Sequence, residues 1–345
     1  MRIAVVTSSP PMAEGGHMVI ARELTRALVG AGHQAHVIVT PQNPFGQQAS
    51  AYVATWLTNV RSTEGQPIDQ VITLRYPSYA VRHPRHVCWL NHTMREYYDL
   101  WDRFSATLSP QGRVKERARR AAIHAADRYL LTRNVDRLFF QSETIRARYR
   151  AWRSLRAEVL HPAAPQRAYR CDGYGADFFL VSRLTALKRA DLLIRALAMP
   201  EGAGLTCVIA GAGDESSSLK ILARDAGVAS RVTFLGRIDE EELLRRLATC
   251  RAVVFPPLQE DYGFVTVEAF ASRKAVVTCR DSGGPAEVVE DEVTGLIVDP
   301  APQALARALR RLADDASLAE RLGTAAHARG AQLTWSAAVE KLVNW

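Results

Sequence analysis

Short runs of apolar residues alternate with segments of helical periodicity along most of the chain. The runs in the first half predict strands, at 3–7, 35–39, 71–74, 86–90, 137–140 and 158–160. Between the first two runs, Val19, Ile20, Leu24 and Leu28 recur at helical spacing, so the chain begins as a βαβ unit. Strands that are apolar throughout are typical of parallel sheets covered on both faces.

This alternation lapses at 161–177, where prolines and glycines stand among polar residues, which predicts a linker. It resumes with predicted strands at 178–181, 205–210, 232–235, 252–255 and 275–278. Amphipathic helices are predicted from 301 to the end. The pattern therefore predicts an α/β fold of two Rossmann-like, doubly wound domains facing each other across a cleft, with C-terminal helices. The predicted bounds are 1–165, 166–330 and a terminal helix at 331–345 that packs back toward the first domain.

Length and composition agree with two domains. A chain of 345 residues exceeds the size at which one core usually stops growing, and 48% hydrophobic with 23% charged residues is ordinary for a globular protein. The five cysteines are widely spaced without a C-x-x-C pair, so we expect free thiols. No metal-ligand or serine-hydrolase motif occurs, so we expect no metal and no cofactor. The predicted strand that directly follows Met1, and the lack of an apolar span of about 18 residues, predict a cytoplasmic protein, at most peripheral at the inner membrane face.

The net charge of +8 is concentrated in a basic region between Arg113 and Arg156. The residues leave three uses open: a solvated helix face, contact with an anionic acceptor or membrane surface, and nucleic-acid binding. Aromatic residues do not alternate with the arginines as stacking platforms would, so nucleic acid is the least favoured partner. A solvated helix face is favoured most.

The segment from Glu260 to Glu268 places two carboxylates around a turn glycine, Gly263, which precedes an apolar helix. The unpaired N–H groups and positive end of such a helix suit a diphosphate. Glutamate oxygens on either side can accept hydrogen bonds from sugar and ribose hydroxyls. A nucleotide sugar contains all three parts.

Cations stand next to predicted strand and helix ends in the second domain. Arg183 follows its first strand, and Lys188 and Arg189 precede the next helix, where a cation opposes the helix dipole. This arrangement is favourable if all three face a bound anion, and the alternative is a solvated loop. Arg237 follows another predicted strand, and we expect the backbone around it to border a nucleotide base.

The first domain contributes weaker signals. Gly15 and Gly16 precede a helix, where phosphate can approach the backbone, although the pair taken alone favours a plain turn slightly over a site. His92 follows the strand at 86–90, and its position is equally consistent with contact to the donor sugar and with a surface side chain that has no role in binding.

Together these motifs resemble retaining glycosyltransferases of the GT-B fold, specifically family four. The resemblance spans nearly the whole chain, and the segments that carry it are Glu260 and Glu268 in E-x7-E, 182–184 with Lys188, 209–213, 234–236, 282–287, Gly15-Gly16, and His92 and Arg95 followed by 98–101.

The resemblance implies that Arg183 and Lys188 bind the donor diphosphate, Glu260 the transferred sugar and Glu268 the ribose. It implies that Gly16 and the backbone at Gly263, Phe264 and Val265 cradle phosphate and sugar. With His92, Arg183, Lys188 and Glu260 as catalytic residues, the implied activity is metal-independent, retaining hexosyl transfer from a nucleoside-diphosphate sugar. The acceptor would be a glycan, a lipid-linked sugar or a small molecule, in bacterial surface-glycan, glycolipid or natural-product synthesis. A non-catalytic nucleotide-sugar-binding subunit is the alternative.

One segment departs from the family pattern. Where the family commonly has A-x-G-x-P-V-V, residues 271–277 place Arg273 and Ala275 at the Gly and Pro positions. We expect altered local packing there rather than lost activity. The first-domain segments at 41–62 and 76–86 are expected to be loops that select the acceptor.

Overall fold

The chain folds into two compact units, described by a computed structural model for residues 1–10, 12, 15–42, 46–152 and 155–344. One unit comprises Met1–Pro162 with Thr334–Trp345, and the other comprises Ala163–Leu333. The division after Pro162 lies close to the boundary expected between 165 and 166. The described residues between 160 and 177 contain no helix or strand, and those from Ala163 onward belong to the second unit rather than to a separate linker.

The regular elements alternate along the chain much as the hydrophobic pattern predicts. The strands are β1 (Arg2–Ser9), β2 (Gln34–Pro41), β3 (Ser62–Thr63), β4 (Gln66–Pro67), β5 (Gln70–Arg75), β6 (His86–His92), β7 (Arg137–Phe140), β8 (Ala157–Val159), β9 (Phe178–Val181), β10 (Cys207–Ala210), β11 (Val232–Gly236), β12 (Val253–Val254), β13 (Val276–Cys279) and β14 (Gly295–Val298). The helices are α1 (Gly16–Gly30), α2 (Gln48–Leu57), α3 (Trp101–Ala106), α4 (Pro110–Arg133), α5 (Glu143–Ala147), α6 (Ala190–Leu197), α7 (Ser216–Asp225), α8 (Glu240–Thr249), α9 (Phe264–Ala271), α10 (Gly284–Val288), α11 (Pro302–Asp314), α12 (Ala316–Gly330) and α13 (Trp335–Val343).

Each unit is built on a parallel sheet, of six strands among the described residues. The strand order is β2-β1-β5-β6-β7-β8 in the first unit and β11-β10-β9-β12-β13-β14 in the second. The predicted fold class, two Rossmann-like units with C-terminal helices, is confirmed. In the first sheet β2 lies on one side of β1 and β5 on the other, and in the second sheet β10 lies on one side of β9 and β12 on the other. The strand order therefore reverses between β1 and β5 and between β9 and β12. Ligands of open α/β sheets bind outside the carboxyl ends of the strands at such points.

Local sequence explains where several helices begin. Ser109, Asp239, Asp315 and Thr334 each precede a helix, and each side-chain oxygen accepts a hydrogen bond from the backbone N–H three residues on, at 3.2, 2.9, 2.9 and 3.2 Å. These caps satisfy donors that the first helical turn leaves unpaired. All six residues of β5 are buried, as expected for a strand in a sheet that is covered on both faces.

The terminal helix α13 belongs to the first unit. The rings of Trp335 and Trp89 meet edge to face with centroids 6.1 Å apart. Gln70 Nε2 donates to the carbonyl of Leu342 at 2.7 Å, and Arg85 Nη2 donates to that of Val343 at 3.0 Å. Helix α13 therefore completes the core of the first unit.

A buried carboxylate, Asp127 of α4, ties several elements of the first unit together. It accepts hydrogen bonds from the hydroxyls of Tyr79 at 2.5 Å, Tyr98 at 2.6 Å and Tyr52 of α2. Burial raises the pKa of Asp127, and the three hydroxyls oppose that rise. The cluster fixes α2 and α4 to each other.

The two segments expected to be acceptor-selecting loops differ from simple loops. The stretch at 41–62 contains helix α2. The stretch at 76–86 is largely buried, with Tyr76 3%, Tyr79 0% and Val81 0% exposed, because it packs under α4 and into the sheet. A role for either segment in selecting the acceptor stays a prediction.

Candidate functional site

Most of the predicted site residues of the second unit lie on loops at one edge of its sheet. Arg183 follows β9, Gly211 follows β10, Arg237 follows β11, Glu260 follows β12 and Gly283 follows β13. Because these strands are parallel, their carboxyl ends meet at the same edge. The topology therefore gathers motifs that are up to 100 residues apart in sequence around the reversal of strand order between β9 and β12.

The loop that carries Glu260 is held by main-chain hydrogen bonds to the loop after β13. Glu260 N–H donates to the Ser282 carbonyl at 2.8 Å, and Gly284 N–H donates to the Glu260 carbonyl at 2.9 Å. Gly283 has φ 70°, and a Cβ there would lie 2.6 Å from the Glu260 carbonyl oxygen. Only glycine fits this position, since both the backbone angle and the space exclude a side chain.

A second glycine loop supports the Arg183 segment in the same way. Leu184 N–H donates to the Ala212 carbonyl at 3.0 Å. A Cβ on Gly211, with φ 128°, would lie 1.8 Å from the Ser182 carbonyl oxygen, and one on Gly213 would lie 2.2 Å from that of Leu184. The glycines in 209–213 therefore allow two backbones to touch, which is a physical reason for this motif.

Lys188 and Glu260 meet directly. Lys188 Nζ donates to Glu260 Oε2 at 2.5 Å, and the two side chains are 20% and 19% exposed. The ammonium also lies 5.5 Å from the ring centroid of Phe255. Leu258 N–H donates to the Leu187 carbonyl at 2.8 Å, so the two loops are joined through their backbones as well. The result is a partly exposed charge pair at the reversal point of the sheet.

Beside this pair, Gly263 begins helix α9. Its φ is 81°, and a Cβ would lie 2.7 Å from Cε1 of Phe255. The predicted helix after Gly263 is confirmed, with Phe264 and Val265 half-buried and 266–270 buried. The first N–H groups of a helix have no acceptor within it, and its positive dipole end favours anions. The start of α9 can therefore bind an anionic group next to Lys188.

Glu268 lies one turn into α9 and is 6% exposed. Its carboxylate accepts from Arg167 Nη1, and Arg167 Nε lies 2.9 Å from Glu240 Oε2. Burial raises the pKa of Glu268, and the neighbouring guanidinium opposes the rise. Sequence reasoning missed Arg167, because it lies in the stretch without periodicity and no local pattern marks it.

Residues 171–329, most of the second unit, match the family model described as glycosyl transferases group 1. The second unit carries a group 1 glycosyl transferase domain. A curated relative, the D-inositol 3-phosphate glycosyltransferase of Corynebacterium diphtheriae, is 35% identical over 171 residues, covering 47% of this chain and 40% of the relative. The chain thus spans less than half the length of that relative.

Solved structures resemble the whole chain in fold. Sucrose-phosphate synthase from Thermosynechococcus elongatus matches with a TM-score of 0.77 and 19% identity, covering 99% of this chain and 97% of that one. HepE of Anabaena, in complex with UDP and glucose, matches with a TM-score of 0.69 and 18% identity, covering 98% of each chain. The GT-B fold, and the resemblance to its glycosyltransferases, are confirmed.

The group 1 domain uses Arg189 differently from the prediction. Arg189 donates to the carbonyls of Pro256 at 2.7 Å and Pro257 at 2.8 Å, and its guanidinium forms a two-point contact with Asp281 at 2.6 and 2.8 Å. The expectation that it faces a bound anion is wrong, because its donors bind two carbonyls of the loop that leads to Glu260 and the carboxylate of Asp281. Arg189 orders that loop.

Arg183 and Arg237 of the group 1 domain are both exposed. Within the part of the chain that the structure describes, neither guanidinium has a hydrogen-bond or ion-pair partner. Their charges are therefore not neutralised by the protein at this edge of the sheet. Either can bind an anion without first breaking an internal contact.

The remaining predicted residues belong to the first unit. Gly15 has an extended backbone, with φ 172°, and its carbonyl accepts from Met18 N–H at 3.0 Å at the start of α1. Gly15 and Gly16 follow β1, at the reversal of strand order in that sheet. His92 is the half-buried last residue of β6, and β5 lies between β6 and β1.

Two kinds of feature are absent from the described residues. Within these ranges, no group of three or more His, Cys, Asp or Glu side chains is placed to hold a metal ion. Over the same residues, no helix combines the length and the apolar character needed to cross a bilayer.

Proposed function

We propose that this chain is a retaining, metal-independent glycosyltransferase that moves a sugar from a nucleoside-diphosphate sugar to an acceptor hydroxyl. The observation that carries the proposal is the Lys188–Glu260 pair beside the amide end of α9, at the reversal point of the second sheet. The name of the curated relative, a glycosyltransferase that acts on D-inositol 3-phosphate, supports the activity class.

The diphosphate of the donor would bind to Arg183, Lys188 and the first N–H groups of α9. Arg183 offers a planar fork of donors and Lys188 a point charge, which together suit a diphosphate. Breaking of the sugar–phosphate bond increases negative charge on the leaving oxygen. Donors fixed in position before the reaction stabilise that charge without reorganising, which is the role a metal ion has in other sites.

The two glutamates would hold the hydroxyls at either end of the diphosphate. Glu260 would accept from the transferred sugar once Lys188 turns to the phosphate, and Glu268 would accept from the ribose. Arg167 donates to the buried carboxylate of Glu268 and opposes the rise in its pKa that burial causes, which favours the ionised form as an acceptor. The backbone around Arg237 would border the base.

The acceptor hydroxyl would attack from the same face that the diphosphate leaves, with a phosphate oxygen taking its proton. No side-chain nucleophile is needed in this route. Gly16 would approach the donor phosphate and His92 the sugar. The acceptor would be a glycan, a lipid-linked sugar or a small molecule of bacterial surface-glycan, glycolipid or natural-product synthesis.

The first experiment identifies the donor by the melting temperature of the protein with a panel of nucleoside-diphosphate sugars. A ligand that binds only the native state increases the free energy of unfolding by about 2.7 kcal/mol at one hundred times its Kd, and this raises the melting temperature. With that donor, slow hydrolysis gives a turnover assay that needs no acceptor. We expect Lys188→Ala and Arg183→Ala each to lower turnover about 10²-fold or more, because each removes a donor to the developing charge.

Lys220→Ala is the matched control, since Lys220 is an exposed lysine on α7 of the same unit, and its turnover should equal that of the wild type. Turnover near the wild-type value in Lys188→Ala would exclude the proposed clamp. Binding of a donor without transfer or hydrolysis would favour the alternative, a nucleotide-sugar-binding subunit that serves another enzyme.

A further inference from the structure

An apolar groove that is open to solvent lies between helices α2 and α4 of the first unit, and we call it the α2–α4 groove. Its volume is about 710 Å³, and its walls include Tyr52, Val53 and Trp56 on α2 and Ile123, Ala126 and Tyr129 on α4. This volume lies within the range of sites that bind small ligands. The hydroxyl of Tyr52 donates to Asp127 of α4, so the two walls are tied together without a ligand. The groove is therefore preformed.

The border of the groove is apolar where it meets solvent. Val53 is 57% exposed, Leu57 70% and Tyr129 60%. Val53 and Leu57 are four residues apart on α2 and lie along one line with the exposed Ala49. Several large apolar side chains grouped around one groove, rather than scattered singly, are typical of an interaction site.

One polar group in the groove lacks a partner. Gln48 is among the lining residues and is 5% exposed, and neither its side-chain oxygen nor its nitrogen has a hydrogen-bond partner within the described residues. Buried amides are nearly always paired, because an unpaired one loses its bonds to water without replacement. A ligand with an ester or hydroxyl group next to an apolar chain would satisfy it.

The exposed charges of the two helices are all positive. Helix α2 contains no charged residue. The two acids of α4, Glu116 and Asp127, are 8% and 1% exposed and accept hydrogen bonds from tyrosines. The exposed charged residues of α4 are Lys115, Arg117, Arg128 and Arg133. Beside the groove, Arg82 lies over the ring of Trp56 with its Cζ 4.8 Å from the centroid.

We propose that the α2–α4 groove binds one acyl chain of an anionic phospholipid and docks the first unit on an acidic membrane surface. Arg117 and Arg128 lie on the side of α4 opposite the groove. Lys115 and Arg133 lie on the groove side of α4, about 27 Å apart along the helix, so they span more than one lipid headgroup. That spread fits a surface of many phosphates better than a single soluble fatty acid. Exposed Val114 and Tyr129 on the same helix add apolar contact at the interface. The proposal does not depend on sugar transfer.

Flotation with vesicles tests the docking. We expect the protein to float with phosphatidylcholine vesicles that contain phosphatidylglycerol and to stay in solution with phosphatidylcholine alone. Val53→Asp introduces a carboxylate at the border, and we expect its partition coefficient to fall about tenfold or more. Ile221→Asp is the matched control, because Ile221 is 48% exposed on α7 of the other unit, and it should bind as the wild type does.

Fluorescence quenching tests whether a chain enters the groove. Phosphatidylglycerol brominated on its acyl chains should quench wild-type tryptophan emission, and most of that quenching should be lost in Trp56→Phe. Trp152→Phe, which removes a tryptophan of the same unit outside the groove lining, should retain it. Melting curves of all variants check that the fold is intact.

Three results would overturn the proposal. Equal binding to neutral and anionic vesicles, or unchanged binding of Val53→Asp, would exclude docking of this groove on an acidic membrane surface. Quenching that persists in Trp56→Phe would show that the acyl chain does not enter the groove. Binding of monomeric short-chain phosphatidylglycerol without vesicle binding would make the ligand a soluble amphiphile, and a change of oligomeric state in Val53→Asp would assign the groove to a second copy of the chain.

Discussion

Arg273 has a left-handed backbone, with φ 54°, just after helix α9. This is the position at which the family pattern commonly has glycine, and a side chain costs energy there. The arginine side chain is exposed, while its carbonyl accepts from the Tyr174 hydroxyl at 2.8 Å. The departure therefore introduces local backbone strain, and the expectation that activity is kept stays a prediction.

Replacing Arg273 by glycine should increase the free energy of unfolding by about 0.5–1 kcal/mol, because glycine adopts the left-handed region without the Cβ clash. Urea denaturation measures this change. Arg224→Gly, an exposed arginine in helix α7, should change stability in the opposite direction by a similar amount. A loss of stability in Arg273→Gly would show that the side chain makes a stabilising contact.

The neighbouring residues Lys188 and Arg189 show a limit of sequence reasoning at the residue scale. Both are cations before helix α6, and the same argument predicted that both face an anion. Lys188 pairs with the partly exposed Glu260, whereas Arg189 donates to two backbone carbonyls and forms an ion pair with Asp281. Which cation remains at the site depends on a carboxylate 92 residues away, which no local pattern reveals.

At the scale of elements, the predicted strands and helices largely agree with the structure, because buried parallel strands and amphipathic helices have strong periodic patterns. The strand predicted at 137–140 coincides with β7, and the helix after Gly263 is α9. Helix α2 was missed inside a predicted loop. Its sequence, QASAYVATWL, lacks the usual amphipathic pattern, because the polar Gln48 and Thr55 are buried while the apolar Val53 and Leu57 are exposed.

The glycine loop after β13 should be intolerant of any side chain. Gly283→Ala places a Cβ 2.6 Å from the Glu260 carbonyl oxygen, so the Glu260 loop must move. We expect turnover to fall about 10²-fold, since small displacements of positioning groups cost that much. Donor hydrolysis and melting temperature are measured together.

Gly227→Ala separates the two causes. Gly227 has φ 68°, close to the φ of 70° at Gly283, but no atom lies within 4 Å of a Cβ added there. This variant should lose about 1 kcal/mol of stability from strain and keep its turnover. Equal turnover of both variants would mean that the Glu260 loop does not need its present position.

At the scale of the whole molecule, the two ends of the chain are joined in one unit. Helix α13 lies at the C terminus, yet its Trp335 packs on Trp89 of β6 and its backbone accepts from Gln70 of β5. The sequence pattern predicts this helix and its amphipathic character. Its hydrogen-bond partners depend on contacts across up to 272 residues.

Deletion of 334–345 should destabilise the first unit by about 3–5 kcal/mol or more, because it removes the buried Trp335 and exposes the surface around Trp89. Hydrogen exchange should accelerate in β5 and β6 and stay unchanged in β9 and β10. Lys341→Ala, at a 53% exposed side chain of the same helix, should leave exchange as it is. Acceleration confined to the second unit would contradict this assignment.

Periodicity and glycine turns are local properties, so the amino-acid sequence is enough to predict the two parallel sheets and the strand ends at which the motifs lie. It also carried the resemblance that the group 1 match and the GT-B fold confirm. The folded chain was needed to show that Glu268 pairs with Arg167, 101 residues away, that Arg189 anchors a loop, and that a groove lies between α2 and α4. These features are contacts between distant segments, and side-chain packing rather than any short pattern selects them.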